Sequence, residues 1–184
     1  MQQLSAIGML EFTSISAGIE SADAMLKAAD VSSIFFKTIC PGKFLAAVHG
    51  EVAAVEVSVL AGRRVMPSCI ADGFVIPNIH KNVIAALGGC VSLTERAALG
   101  VIETFSVSSA ILAADAAAKA AAVRILDVRA ALGLGGKGYV LLTGNVGAVE
   151  SAIAAGSESA RASGLLVGTA VLPRPADALF NQLL

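Results

Sequence analysis

The chain of 184 residues has no tryptophan, one tyrosine and two histidines. Its 13 Lys and Arg residues are scattered, and its net charge is −1. No basic stripe interleaved with aromatic stacking platforms can be drawn from such a composition, so a nucleic-acid partner is not expected. Lys and Arg are missing altogether from the first 26 residues, which leaves no basic leading region for a secretory signal. Long apolar runs are missing too. Asp115 and Lys119 interrupt the Ala-rich stretch, and His49, Glu51 and Glu56 interrupt the one before it, well short of a membrane span. A cytoplasmic protein without a membrane partner is expected. There the three cysteines are expected to be reduced thiols or metal ligands rather than disulfides.

Small apolar residues are abundant instead. The hydrophobic fraction is 56% and 18 glycines add to it, lifting the apolar share to about two-thirds against the 45–50% of ordinary domains. Ala and Val supply the excess. So little polar surface suits a chain that buries a large face against other subunits.

The sequence also repeats itself. Gly8, Glu11, Asp23 and Lys27 recur as Gly100, Glu103, Asp115 and Lys119, each 92 residues on. Lys43 recurs as Lys137 and Val52–Glu56 as Val146–Glu150, now 94 residues on. The second copy has therefore gained two residues. They fall where the first copy reads Ile39-Cys40-Pro41-Gly42 and the second Leu132-Gly133-Leu134-Gly135-Gly136. Two domains of about 90 residues follow, placed at 1–92 and 93–184.

Each half reads strand, helix, strand, strand, helix, strand. In the first, Ala6–Phe12 is a strand, and Ser14 or Ser16 caps a helix running to about Ala29 with Ile19, Ala22, Leu26 and Ala29 as its apolar face. Ser33–Ile39 and Phe44–Val48 are strands around the Cys40-Pro41-Gly42 turn. A helix from Val52 to about Gly62 presents Val52, Val55 and Val59, and a last strand covers Ile70–Ile76. The second half repeats this. Val107, Ala110, Ile111, Ala114 and Ala118 face one way on its first helix. Asn145 caps the second, which presents Val146, Val149, Ile153 and Ala160, and Leu165–Val171 is the closing strand. Residues from about Lys81 to Ala97 bridge the halves. The expected class is α/β (α+β), as two split β-α-β, ferredoxin-like sandwiches.

Taken by its chemistry, Cys40 has two readings. A lone cysteine in a Val/Ala-rich chain is a small buried hydrophobe. One thiol is also a poor cluster ligand, since a [4Fe–4S] cluster takes about four thiolates. The ligand reading therefore needs thiols from further copies of the chain. Pro41 fixes its own φ and lacks an N–H, Gly42 permits a tight turn, and Lys43 brings positive charge that favours a thiolate. Cys69 and Cys90 have no cysteine or histidine at ligand spacing and read as structural. His80 reads as a surface or edge residue and His49 as a strand end. The glycines of the second loop precede a strand rather than a helix, which argues against a phosphate cradle.

Several segments together resemble the bacterial microcompartment (BMC) shell domain. They are Ala6-Ile7-Gly8-Met9-Leu10-Glu11, Ala22-Asp23-Ala24-Met25-Leu26-Lys27, the glycine loop before a strand, and the closing Leu172-Pro173-Arg174-Pro175. Both halves carry the resemblance. Lys37–Phe44, around Cys40, is similar to the iron–sulfur branch of tandem shell proteins from propanediol-utilising microcompartments. The resemblance implies a homotrimer that mimics a hexamer, tiling beside neighbouring shell proteins in the facet of a cytoplasmic microcompartment shell. It places the loop before the third strand of each domain at the central axis: Ile39, Cys40, Pro41, Gly42 and Lys43 from one half, Leu134, Gly135 and Gly136 from the other. It further implies one [4Fe–4S] cluster per trimer, held by Cys40 of each chain. Such a cluster serves electron transfer across the shell, with an enclosed or cytosolic redox enzyme as partner, or delivery to enclosed enzymes. Lys27, Lys119 and Arg174 are implied at the edge where discs meet. The first copy departs there, with Pro77-Asn78-Ile79-His80 in place of the edge motif. A cluster-free trimer with a gated pore for small metabolites is the alternative. An enzyme is not expected, because no acid–base pair or His/Asp constellation accompanies the loop.

Overall fold

Strand, helix, strand, strand, helix, strand is the order found in each half of the computed structural model, which describes residues 6–89, 91, 97–130 and 135–183. The first half comprises β1 (Ala6–Phe12), α1 (Ile15–Ala28), β2 (Ser32–Ile39), β3 (Lys43–Gly50), α2 (Val52–Val65) and β4 (Ile70–Pro77). A helix α3 (Lys81–Leu87) follows. The second half comprises β5 (Ala98–Thr104), α4 (Val107–Ala120), β6 (Arg124–Ala130), β7 (Gly138–Gly144), α5 (Val146–Ala162), β8 (Leu166–Leu172) and a final α6 (Asp177–Leu183). The sheets run β2-β3-β1-β4 and β6-β7-β5-β8, all neighbours antiparallel. Two helices cross over each sheet, as the ferredoxin-like arrangement requires.

The halves keep even their irregularities. The β1–β4 ladder shifts register between Glu11 and Phe12, and β5–β8 does so between Glu103 and Thr104. The β2–β3 ladder shifts between Ser33 and Phe35, and β6–β7 between Ile125 and Asp127. Bulges are held in place within a family, so their recurrence marks one fold used twice. The chain forms two compact units that part between Ile79 and His80. The segment taken from sequence as a bridge thus holds a helix, α3, that belongs with the second unit and packs on β6 and α4. His80 caps it, its Nδ1 accepting from the Asn82 N–H at 3.3 Å.

The core of the first unit joins Ala6, Leu10 and Phe12 of β1 with Ala46 and Val48 of β3, Ala22 and Met25 of α1, and Val55 and Val59 of α2. One expected helix face is corrected here. On α1 the buried residues are Ala17, Gly18, Ser21, Ala22 and Met25, whereas Ile19 and Leu26 are exposed. Gly18 explains the choice: a Cβ there would lie 2.5 Å from the Phe44 ring, so the helix seats its smallest side against the sheet. On α4 all five expected face residues are buried. On α5, Val149, Ile153 and Ala160 are buried but Val146, at the first position, is exposed. Ser14, Ser106 and Asn145 cap α1, α4 and α5, each side chain accepting a backbone N–H three residues on, which satisfies donors the helix leaves open.

Candidate metal site on the Cys40 turn

Cys40, Pro41 and Gly42 form the whole connection between β2 and β3, with Ile39 and Lys43 as the last ladder pair beneath it. The two legs differ. β3 lies inside the sheet with Phe44 to Val48 buried, while β2 is an edge strand with much of its length exposed or half-buried. The turn is thus fixed by its second leg. Gly42 adopts φ +75°, and a Cβ built on it would meet nothing within 4 Å. Glycine is needed there for its backbone alone. Pro41 and Gly42 are exposed, the Cys40–Pro41 peptide is cis, and Cys40 is a free, half-buried thiol. That placement differs from a thiol packed in a core. Ile39, by contrast, is buried below it.

Lys43 takes a role that its neighbourhood in sequence did not reveal. Its Nζ donates to Glu11 Oε1 at 2.6 Å, and Glu11 is almost wholly buried. The expected positive charge beside Cys40 is therefore met by a carboxylate one strand away. The second unit repeats the pair as Lys137 and Glu103 at 3.0 Å, more openly to solvent. The recurrence of both residues in register was the signal: β1 and β3 bring Glu11 opposite Leu45, so Lys43 lies diagonally across, within reach of a long side chain.

The counterpart turn of the second unit carries Gly135 and Gly136 at φ +60° and +91°. Leu132, Gly133 and Leu134 lie outside the described residues, as does Cys90. Cys69 ends a short 3-10 turn, Pro67–Cys69, where its carbonyl accepts from the Thr13 N–H at 2.8 Å. Among the described residues no three of His, Cys, Asp and Glu gather at metal-binding distance within the chain. Among the described residues, a single chain thus offers the Cys40 turn one thiol.

The remaining candidates sit on helix and strand ends. Lys27 and Lys119 occupy the last turns of α1 and α4, where a cation favours the helix dipole. Each donates to the aspartate one turn earlier, Asp23 or Asp115, at 2.6 Å. Asp115 also accepts the His80 backbone N–H at 2.8 Å. Arg174 is exposed just beyond β8, and Asn78, its counterpart beyond β4, holds φ +53°, a conformation asparagine tolerates better than most residues. His49 is the penultimate residue of β3. Burial holds its pKa below the ordinary histidine value, and its Nδ1 has no partner among the described residues. No helix among the described residues is long and apolar enough to cross a membrane.

Comparison with known proteins agrees with this architecture at every scale. The chain is 45% identical to the bacterial microcompartment shell protein PduT of Citrobacter freundii, across 97% of each chain. It is 29% identical to the carboxysome assembly protein CcmO of Synechococcus elongatus, across 97% of this chain and 68% of that one. The crystal structure of a microcompartment protein from Desulfitobacterium hafniense superposes with a TM-score of 0.94 at 46% identity, covering 97% of this chain and 99% of that one. The family model described as the BMC domain matches residues 6–79 and again 98–175. With two such domains in one chain, the protein belongs to the BMC family of bacterial microcompartment shell proteins.

Proposed function

We propose that this protein is a non-enzymatic building block of a microcompartment shell, working as a homotrimer of six BMC domains that binds one [4Fe–4S] cluster through Cys40 of each chain. Its setting is the cytoplasmic shell, beside other shell proteins in the facet. The observation that carries the cluster reading is the position of Cys40: a free thiol on an exposed turn of one unit, with a cysteine-free counterpart turn in the other. One thiol cannot hold a cluster. Three turns brought together by symmetry supply three thiolates and leave one iron for another ligand. When bound, the cluster supplies a one-electron couple, suited to exchange with a redox enzyme on either side of the shell or to cluster delivery.

This chain's own residues do the holding. Cys40 binds; Pro41 and Gly42 set the turn and keep bulky side chains away from its tip. Lys43 is engaged by Glu11 and so brings Cys40 no unpaired positive charge. Gly135 and Gly136 present backbone without side chains on the alternate turn.

Anaerobically purified protein is expected to be brown and to carry about four irons per three chains. Cys40→Ser is expected to lose iron and colour and remain a trimer. A wild-type trimer that stays iron-free after anaerobic reconstitution would point instead to a plain pore for small metabolites.

A further inference from the structure

The roots of the two hairpins are built differently. Consecutive strand residues point to opposite faces of a sheet, so Lys43 and Phe44, which open β3 after the Cys40 turn, are held from opposite sides. On the face away from the helices, the Lys43 Nζ meets the buried Glu11 carboxylate of β1 at 2.6 Å. On the helix face, the buried Phe44 ring fills the notch left by Gly18 of α1, where a Cβ would lie 2.5 Å from it. The strand that carries the turn is thus pinned on both faces at its first two residues.

At the matching places the second unit relaxes both holds. Lys137 and Glu103 lie 3.0 Å apart and stand open to solvent. Gly138 replaces Phe44 and Ala110 replaces Gly18. The notch is now on the strand and is filled from the helix by a methyl group, 2.9 Å from where a Cβ of Gly138 would sit. A buried ring carries far more contact than a methyl. The hairpin that bears the cysteine has the firm root, and the hairpin without one has the looser root.

A metal ligand needs such a root. Cys40 leaves β2, an edge strand with much of its length exposed or half-buried, so its place is set through β3. Thiols from three chains meet one cluster only if each is held to within about 0.5 Å. We propose that Glu11, Lys43 and Phe44 are positioning residues for Cys40, bracing β3 from both faces so that the thiol keeps the place at which three chains converge on the cluster. The inference rests on the cluster reading above and adds to it the residues that aim the ligand.

The test loads the full chain with iron and sulfide anaerobically, then follows iron release to a chelator and the EPR signal of the dithionite-reduced protein. Lys43→Met is expected to sediment as a trimer, to release iron about ten- to a hundredfold faster than wild type and to give a broader signal. Lys43→Arg, long enough to meet Glu11, is expected to restore both readouts. Lys137→Met is expected to change neither. Phe44→Leu loosens the brace from the other face and is expected to move both readouts the same way; it decides the matter if Lys43→Met does not fold. A role in stability alone would lower the unfolding midpoint of Lys43→Met but leave iron release and EPR signal at wild type. That result overturns the positioning role while the cluster reading stands, as does an equal loss in Lys137→Met. Wild-type protein that takes up no iron overturns the cluster reading, and the positioning role with it.

Discussion

At the scale of single residues, the repeated Lys–Glu pair makes a controlled comparison inside one molecule. Glu11 has its side chain 6% exposed and Lys43 32%, whereas Glu103 and Lys137 stand at 41 and 39%. The chemistry is the same; the surroundings differ. Removing Lys43 strands a carboxylate that water cannot reach, which costs about 3 kcal/mol. Removing Lys137 returns a carboxylate to solvent and costs under about 1 kcal/mol. Lys43→Met is therefore expected to destabilise the first unit far more than Lys137→Met destabilises the second, read as faster amide exchange in β1 and β3 than the parallel change produces in β5 and β7. Equal effects would show that burial of Glu11 is relieved in solution.

At the scale of elements, much of the architecture was legible in sequence, and the failures have physical causes. The strand at Ala6–Phe12 was read to the residue and the cap Asn145 where its side chain acts; of the two serines offered for α1, Ser14 and Ser16, it is Ser14 that caps. The apolar periodicity of α1 was also real, but Ile19 and Leu26 lie on a side the unit does not use, because hydrophobic spacing does not say which partner a face serves. Gly18 and Ser21 make the intramolecular contact, and small residues leave no hydrophobic signal. Gly18→Val is accordingly expected to cost about 2 kcal/mol by overpacking against Phe44, measured as a lower midpoint in urea with an unchanged slope. The helices α3 and α6, at seven residues each, span under two turns and carry too few positions for a period to stand out. At the turn, spacing located Cys40 and Gly42, but the engagement of Lys43 by Glu11 depends on strand pairing that no local pattern encodes.

At the scale of the whole molecule, the test is whether the helix-end lysines join one assembly to the next. Lys27 and Lys119 project from the ends of equivalent helices, each steadied by an aspartate one turn back. If they serve disc-to-disc contacts, the double change Lys27→Ala with Lys119→Ala is expected to give trimers of normal size that no longer form extended sheets under the electron microscope. Loss of the trimer itself would place these lysines inside the ring instead of at its rim.

The two hairpins hold a further consequence. Their ladders match rung for rung up to Thr38 opposite Phe44 and Ala130 opposite Gly138, and the two extra residues of the second copy are taken up entirely beyond those rungs. Each hairpin hangs from an inner strand on one side and an edge strand on the other, so a change in its length strains nothing else. The tip behaves as an interchangeable fitting on a fixed mount. A lineage can swap a thiol for a glycine run, or lengthen one tip alone, without renegotiating the surfaces by which the part fits its neighbours.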